Sequence, residues 1–315
     1  MLGVLGRGTF GLVKLARHKD TGRSVAIKIL TKDVIVEMKQ EKNILREQTV
    51  HLLLQHPFVS KLYSTFQDSQ ALYFVLEYCP GGELYSLVYE EEEDALRSEF
   101  GGLHERHVAF YLACLVLGLD YLHGMNILYR DLKLENLVLD EDGYPKLIDF
   151  GLSKPDAANN DQNTTMCGSM EYMAPEVLQR LPYGQKADMW SFGIIMYELL
   201  FGTTPFYHTN RREQGRRITM EPVPFPNNFE EEFPEATDLI NKLLSKNPLE
   251  RPTSFEQVRE SAFFIKYFPT SSAWKQLENK KYPFGAPFVP HLDGAFDMSL
   301  FRAVDDEDDD AFEGY

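Results

Sequence analysis

The chain has 315 residues, of which 43% are hydrophobic, enough for about two lobes or domains of ordinary size with a substantial core. Its formal net charge of −16 comes from 48 acidic and 32 basic residues. Such a charge disfavours non-specific binding to nucleic acid or to anionic membranes, and it favours basic partners where carboxylates cluster at a site. We therefore expect no nucleic-acid partner.

The cysteines and the apolar segments indicate the cellular compartment. Cys79, Cys114 and Cys167 have no paired spacing that suggests a disulfide framework or a metal site. The longest apolar stretch, residues 108–119, is too short to cross a bilayer and is predicted to be a buried helix. Because the N-terminus also lacks a secretory signal, we expect a cytoplasmic protein, with the nucleus as a second location and no membrane insertion.

The first part of the chain has mainly strand patterns. A glycine-rich turn is followed by a β-branched run at residues 24–29, which is typical of a strand. Residues 34–54 carry apolar and charged side chains at helical spacing, and residues 73–78 return to a strand pattern before Pro80-Gly81-Gly82. These patterns predict a small β-rich lobe with a helix, which ends at a hinge.

Helical patterns dominate the rest of the chain, near residues 105–124, 187–200 and 236–245. They predict a larger and mainly helical lobe, so the predicted fold class is α+β with two lobes. The predicted divisions are a small lobe at 1–78, a large lobe at 79–265 and a C-terminal tail at 266–315. Acidic runs at 90–94 and 305–310 are predicted to be solvated.

The string Gly6-Arg7-Gly8-Thr9-Phe10-Gly11-Leu12-Val13 lies between two predicted strands. Glycine is required where backbone amides approach and hold phosphate groups, because a side chain would block the approach. The alternative is an ordinary hairpin loop. A dinucleotide site is disfavoured, because a strand and not a helix follows the loop.

A lysine lies in the apolar strand Val25-Ala26-Ile27-Lys28. If Lys28 is buried, it needs an anionic partner, and Glu41 on the following helix is the candidate. The alternative is a lysine at a strand edge that reaches solvent.

The most specific motif is Tyr129-Arg130-Asp131-Leu132-Lys133-Leu134-Glu135-Asn136, followed by Asp149-Phe150-Gly151. Phosphoryl transfer needs a carboxylate that accepts the hydroxyl proton, oxygen ligands for Mg²⁺ and cations beside the transferred group. Asp131 suits the first role, Asn136 and Asp149 suit the second, and Lys133 suits the third. A polar loop without this function would have to contain every member in order by chance.

With these motifs the sequence resembles a eukaryotic protein kinase, and it continues with Ala174-Pro175-Glu176, which closes an activation segment at 149–176. The resemblance implies a bilobal protein-kinase fold, in which Arg251 pairs with Glu176. Lys133 in the catalytic loop is similar to that of serine/threonine kinases. The implied activity is ATP- and Mg²⁺-dependent phosphorylation of protein serine and threonine hydroxyls.

Further residues resemble the AGC group of kinases. They are Tyr129, the run 149–154, Thr165-Met166-Cys167-Gly168, Pro287-Phe288-Val289-Pro290 and Phe301 before an acidic run. The last two are similar to a C-terminal extension that wraps the small lobe. The closest resemblance is to the catalytic subunit of cyclic-AMP-dependent protein kinase, with protein kinase B as the second choice.

The resemblance implies roles for residues of an ATP site. Amides of Gly6, Gly8 and Gly11 would cover the phosphates, while Lys28 would contact them and pair with Glu41. The adenine slot and the ribose site would be formed by Leu5, Val13, Ala26, Leu76, Glu77, Cys79, Glu83 and Val138. An apolar column would comprise Leu45, Leu62, Phe150 and Tyr129, tethered by Asp188.

The resemblance also implies a protein substrate with basic residues. Glu83, Glu135 and Glu198 match carboxylates that bind arginines upstream of the phosphorylated residue. A pocket for the following residue would be lined by Met166, Met170 and Met173.

Phosphorylation of Thr165 by an upstream activating kinase would pair the phosphate with Arg130 and Lys154. Phe312 and Tyr315 at the end of the tail are predicted to dock on the small lobe. A regulatory subunit that bears a pseudosubstrate is a further expected partner. The alternatives to this enzyme are a pseudokinase scaffold, which binds partners without catalysis, and a small-molecule kinase.

Overall fold

The structure, a computed structural model, describes residues 3–8, 10–90, 96–155 and 163–301. The expected docking of Phe312 and Tyr315 lies outside these residues. So do the acidic run at 305–310 and all of the run at 90–94 except Glu90.

The small lobe is built on a five-stranded antiparallel sheet in the order β1-β2-β3-β5-β4. Its strands are β1 (Gly3–Gly8), β2 (Gly11–Arg17), β3 (Ser24–Thr31), β4 (Leu62–Gln67) and β5 (Ala71–Glu77). In the centre of the sheet, Lys28 of β3 lies opposite Val13 of β2 and Phe74 of β5. The sheet thus presents this lysine next to the β1–β2 turn.

Two helices follow β3, α1 (Lys32–Glu37) and α2 (Glu41–Leu53). They are separated at Lys39, whose φ of 56° is left-handed and ends the first helix. The buried residues of α2 are Ile44, Glu47, Val50 and His51. This spacing of three and four residues defines the face that packs on the sheet.

The large lobe is mainly helical. Its helices are α3 (Leu84–Tyr89), α4 (Glu105–Gly124), α5 (Pro175–Leu178), α6 (Gln185–Phe201), α7 (Arg211–Met220), α8 (Phe229–Glu232), α9 (Pro234–Leu243), α10 (Phe255–Arg259), α11 (Ala262–Tyr267) and α12 (Ser271–Glu278). The predicted α+β architecture, with a small antiparallel sheet and a larger helical lobe, is confirmed. The divisions at 78 and 265 stay predictions; α12, within the predicted tail, packs on the helical core through Trp274 and Leu277.

Helix α4 lies at the centre of the large lobe. In the described part of the chain it is the one helix long and apolar enough to cross a membrane. Of the most apolar 18-residue stretch of α4, 78% is buried inside the folded chain. The core helix of a globular domain is buried in the same way.

Two small antiparallel sheets hold the loops that carry the predicted catalytic motif. They pair β6 (Ile127–Leu128) with β9 (Lys154–Pro155), and β7 (Leu137–Leu139) with β8 (Pro145–Leu147). The motif from Tyr129 to Asn136 connects β6 to β7, and Asp149 follows β8. Because these strands pair, the two loops lie side by side.

Residues 279–301, the C-terminal segment, run from the large lobe to the small lobe. Lys280 forms an ion pair with Asp140, and the hydroxyl of Tyr78 donates a hydrogen bond to the carbonyl of Asp297. The ring of Phe301 stacks on Tyr78 at 5.9 Å, and Arg17 of β2 lies 5.4 Å from the ring of Phe296. The segment therefore contacts both lobes and the connection between them.

Candidate active site

Lys28, Glu47 and Asp149 form a charged cluster between the lobes. The Nζ of Lys28 lies 2.6 Å from Oε1 of Glu47 and 3.3 Å from Oδ1 of Asp149. Burial lowers the pKa of Lys28, but the two carboxylates outweigh it and the pKa of Lys28 is raised. The charge of Lys28 is also the largest cause that lowers the pKa of Asp149. Lys28 and Asp149 are thus held in their charged forms.

The predicted partner of Lys28 was wrong: the structure places Glu47 there and not Glu41. Glu41 is the first residue of α2 and is exposed, whereas Glu47 is 3% exposed on the face toward the sheet. The two residues are six positions apart, so they lie on different sides of the helix. The break at Lys39 sets where the helix begins and therefore which glutamate faces Lys28.

The predicted apolar column also needs a correction. Leu45 is 59% exposed, and the ring of His51 takes the position beside Phe150, with ring centroids 4.5 Å apart. The Nε2–H of His51 donates to the carbonyl of Ser60 at 2.7 Å. Burial lowers the pKa of His51 to about 4, so the imidazole is neutral at physiological pH.

The column continues into the large lobe, where Phe150 and Tyr129 are packed edge to face at 5.5 Å. Below them, the carboxylate of Asp188 accepts hydrogen bonds from the backbone N–H groups of Tyr129 and Arg130, at 3.0 and 2.9 Å. The expected tether between Asp188 and this loop is present. It fixes a loop in which Arg130 has a left-handed φ of 69°.

The catalytic loop orients Asp131. The Nδ2 of Asn136 donates to the carbonyl and to Oδ2 of Asp131, at 2.8 and 2.9 Å. The Nζ of Lys133 lies 3.1 Å from Oδ2 of Asp131. A carboxylate held by an amide and an ammonium is positioned to accept a proton from a hydroxyl that comes within hydrogen-bonding distance of it.

Asn136 and Asp149 come from adjacent loops, because the N–H of Ile148 donates to the carbonyl of Asn136 at 3.0 Å. Asp149 is left-handed, with φ of 56°, and its carboxylate also accepts the N–H of Gly151 at 3.1 Å. Within the described ranges no group of three or more His, Cys, Asp or Glu side chains is arranged to hold a metal. One amide and one carboxylate suit a hard cation that takes its other ligands from phosphate oxygens and water.

A cavity of about 380 Å³ lies between the lobes, and its lining includes Gly8, Gly11, Val13, Lys28 and Asp149. A Cβ at Gly11 would lie 1.9 Å from the carbonyl oxygen of Ile29, so this position requires glycine. The other residues predicted for the nucleotide are not part of this lining, and their role stays a prediction: Leu5, Gly6, Ala26, Leu76, Glu77, Cys79, Glu83 and Val138. Ala26 pairs with Leu76 in the sheet, and Glu83 bridges to Val138.

The carboxylates predicted to bind substrate arginines have different surroundings. Glu198 is 2% exposed and accepts hydrogen bonds from the hydroxyls of Tyr89 and Tyr172. Glu135 has a buried Oε2 without a hydrogen-bond partner among the described residues. The charges of Glu135 and Glu171 both act on Glu198, so these three lie in one acidic cluster.

The three predicted methionines differ in burial. Met166 is exposed, whereas Met170 and Met173 are half-buried against the core of the large lobe. Met166 is therefore more accessible to solvent than the other two methionines. Their role in substrate binding stays a prediction.

Thr165 is exposed, and its carbonyl accepts a hydrogen bond from the hydroxyl of Tyr183 at 2.9 Å. Arg130 donates to the same hydroxyl at 3.2 Å and to the carbonyl of Leu152. Lys154, the second predicted partner, instead donates to Asn163 at 2.5 Å. Arg130 and Thr165 are therefore brought near each other through Tyr183.

Several residues of the site are not predicted by the sequence, among them Glu47, His51, Tyr89 and Tyr183. For Glu47 a signal was available, since Ile44, Glu47 and Val50 repeat at the helical interval of a buried face. His51, Tyr89 and Tyr183 act through contacts with residues distant in the chain, and no local pattern identifies them.

The fold and the charged cleft define the class of this protein. The chain matches the family described as "Protein kinase domain" over residues 1–264, and it belongs to that family. The predicted pair of Glu176 and Arg251, which joins the activation segment to the large lobe, is present with two hydrogen bonds at 2.7 and 2.8 Å.

The chain is similar to curated serine/threonine-protein kinases of the RAC and Sgk1 kinds. RAC-beta serine/threonine-protein kinase A of Xenopus laevis is 39% identical over 97% of this chain and 59% of the relative. The RAC family serine/threonine-protein kinase homolog of Dictyostelium discoideum is 38% identical over 96% of this chain and 64% of the relative. Serine/threonine-protein kinase Sgk1 of Gallus gallus is 38% identical over 95% of this chain and 66% of the relative.

The chain thus spans 59% to 66% of the length of these relatives. The predicted AGC group is supported. These relatives do not support the more specific prediction, a resemblance to cyclic-AMP-dependent protein kinase in particular.

Proposed function

We propose that this protein is a serine/threonine protein kinase that transfers the γ-phosphoryl group of ATP to hydroxyls in arginine-containing protein segments. The observation that carries the proposal is the convergence of Lys28, Asp149 and Asp131 on one cavity. Lys28 and Asp149 are in direct contact, and Asp131 lies across from them in the catalytic loop.

Each charged group has a role in the reaction. Lys28, held by Glu47, binds the α- and β-phosphates as a fixed cation, and the glycine loop covers the phosphates with backbone amides. Asp131 accepts the proton of the substrate hydroxyl, and Lys133 lies beside the transferred group to balance its charge.

Mg²⁺ is the cation that we propose for Asn136 and Asp149. When bound, it would neutralise phosphate charge and fix the orientation of the phosphates. The fit rests on oxygen ligands of the hard type, one of them a carboxylate whose pKa is lowered by Lys28 and which is therefore ionised at neutral pH.

The preference for arginine is inferred from the acidic cluster of Glu135, Glu171 and Glu198. Glu135 lies in the catalytic loop, Glu171 in the activation segment and Glu198 in α6. No basic side chain pairs with Glu198 among the described residues. A guanidinium from the substrate would supply the missing positive charge, with bidentate hydrogen bonds.

Phosphorylation of an arginine-containing serine peptide in the presence of Mg²⁺ and ATP tests the proposal. Asp131→Asn is expected to lower kcat by about 10³-fold, because the proton acceptor is lost. Asp142→Asn, which changes an exposed aspartate after the same loop, is the matched control and should keep full activity. Absence of transfer by the wild type would instead favour the pseudokinase alternative.

Regulation and location extend the proposal. We infer that an upstream kinase phosphorylates Thr165, since Arg130 and Lys154 lie near this segment as cations. Binding of a pseudosubstrate-bearing regulatory subunit and a cytoplasmic or nuclear location also stay proposals. A pull-down with and without added cyclic AMP tests the binding of a regulatory subunit. Imaging of the tagged full chain tests the location.

A further inference from the structure

Glu198 of α6 is a buried carboxylate that two tyrosine hydroxyls cap. Tyr89 donates to Oε1 and Tyr172 donates to Oε2, each at 2.7 Å. Burial raises the pKa of Glu198 to about 7, the two hydroxyls oppose this, and the charges of Glu135 and Glu171 add to it. A cation that entered this position would therefore be strongly favoured by the acidic surroundings.

The two tyrosines differ in how firmly they are held. Tyr172 is 7% exposed and packs in the core of the large lobe. Tyr89 is 40% exposed and is the last residue of α3, where its ring stacks on Tyr85 at 4.5 Å. The side chain of Tyr89 can turn toward solvent without opening the core, whereas that of Tyr172 cannot.

We propose that Tyr89 is a specificity-determining residue, whose hydroxyl occupies the edge of Glu198 that would bind an arginine of the substrate. The inference rests on the proposed function and deepens it. Tyr89 and the guanidinium compete for Oε1, so an arginine binds at Glu198 only after the hydroxyl of Tyr89 has turned away.

The chemistry of the site selects arginine as the ligand. Glu135 has a buried Oε2 with no hydrogen-bond partner in the described ranges, and its charge already acts on Glu198. A planar guanidinium carries five donors and can serve more than one carboxylate oxygen at once. A lysine ammonium would offer a single charged point and gain less from the same cluster.

The test uses serine peptides in which one arginine is moved through the upstream positions, with an alanine-substituted parent peptide. For each position we would measure the ratio of kcat/KM with arginine to kcat/KM with alanine. At one position this ratio should rise about five- to tenfold in Tyr89→Phe, which keeps the stacked ring and removes only the competing hydroxyl. The same ratio should fall to about one in Glu198→Gln, which has no charge to offer a guanidinium.

Tyr85→Phe is the matched control, since it removes a hydroxyl from the stacking partner and should leave every ratio unchanged. The measurements are made at a pH of about 8, above the pKa of Glu198, so that this carboxylate is ionised. An alkaline pH is needed because the Tyr89 hydroxyl lowers that pKa, and its removal therefore raises the pKa. The double variant Tyr89→Phe/Glu198→Gln should show no gain. Because each ratio is taken against the alanine peptide measured with the same variant, a general change in the catalytic cleft cancels from the ratio.

Glu198→Gln identifies the peptide position at which the preference for arginine is lost. If the ratio at that position is unchanged or lower in Tyr89→Phe, Tyr89 does not compete with the arginine and the inference is wrong, while the proposed function stands. If Glu198→Gln alters no position, Glu198 binds no arginine and the inference is also wrong. If the wild type phosphorylates none of the peptides, the proposed function itself fails, and the inference fails with it.

Discussion

Glu47 in the small lobe and Glu198 in the large lobe are equally hidden from solvent, and they are satisfied in different ways. Glu47 contacts the ammonium of Lys28 at 2.6 Å, so its negative charge is matched within the folded chain. Glu198 accepts hydrogen bonds from the hydroxyls of Tyr89 and Tyr172, and its pKa is raised by burial to about 7. Burial alone therefore does not determine the charge of a buried glutamate.

The difference separates two kinds of site. The cleft around Lys28 has its opposite charges in place before any ligand binds, as a preorganised site for phosphate requires. The acidic cluster around Glu198 has an excess of negative charge, which a cationic side chain of a substrate would neutralise. Variants that change one carboxylate should consequently have opposite effects in the two lobes.

The largest effect is expected from Glu47→Gln. The amide keeps the shape of the side chain but leaves Lys28 without its strongest anchor, so kcat/KM for ATP should fall by about 10²-fold. Steady-state kinetics with a fixed peptide and varied ATP would measure it. Glu41→Gln, on the exposed side of the same helix, should keep wild-type kinetics; equal losses in both variants would contradict the assignment of Glu47.

Glu198→Gln should stabilise the protein at alkaline pH. The pKa of Glu198 is raised in the folded state from an ordinary value of 4.5 to about 7, so the folded protein binds a proton that the unfolded chain has already lost. The wild type therefore loses stability as the pH rises from about 4.5 to about 7, and Glu198→Gln does not.

Denaturant unfolding at several pH values should show a gap of about 2 kcal/mol in favour of the variant at pH of about 8, and a small gap below pH of about 5. The glutamine can donate to one tyrosine hydroxyl and accept from the other, so the packing is kept. A gap that is independent of pH would show that Glu198 has an ordinary pKa and that the comparison with Glu47 is wrong.

His51 sharpens the comparison, because it is a third ionisable side chain that is buried, and it is kept neutral. At neutral pH His51→Leu should lower the free energy of unfolding by about 1 kcal/mol, since the carbonyl of Ser60 loses its donor. The pKa of His51 is lowered from 6.5 to about 4 by burial, so the wild type loses stability as the pH falls between these values, and the variant does not.

The gap between His51→Leu and the wild type should accordingly close in acid. Thermal unfolding of both proteins at matched pH values would measure it. Leu45→Ala, on the exposed side of α2, is the control and should leave the pH dependence as in the wild type. A gap that stays constant down to a pH of about 4 would mean that folding does not lower the pKa of His51.

Most of the catalytic motif could be predicted from the sequence, because its members are close together along the chain. Asp131, Lys133 and Asn136 lie within one loop, and the spacing of their side chains determines most of their contacts. The strand that carries Lys28 could be predicted for the same reason, because its β-branched run at residues 24–29 is continuous in the chain.

The errors arose where a face of a helix had to be chosen. Residues 34–54 have one continuous helical pattern, yet the chain breaks at Lys39 and restarts at Glu41 with a different face toward the sheet. The break at Lys39 is therefore the reason that Glu47, and not the predicted Glu41, faces Lys28. For the column beside Phe150, Leu45 is the more apolar choice, but only the packing of α2 on the sheet decides that His51 lies there.

The glutamate–tyrosine cluster illustrates a further limit of sequence reasoning. Tyr89, Tyr172 and Glu198 come from three elements that are separated by more than twenty residues each, and their hydroxyl–carboxylate contacts depend on the packing of α3 and α6. A local pattern identifies Glu198 as a helical residue and gives no information on what covers it.

The C-terminal segment contacts both walls of the cleft. A side chain at Gly82 would lie 2.7 Å from the carbonyl oxygen of Leu300, and one at Gly3 would lie 2.3 Å from the end of Met298. One stretch of polypeptide is thus packed against the first strand and against the start of α3. Any hinge motion that separates the two walls, as entry and departure of a nucleotide require, has to break some of these contacts or carry the stretch along with one wall.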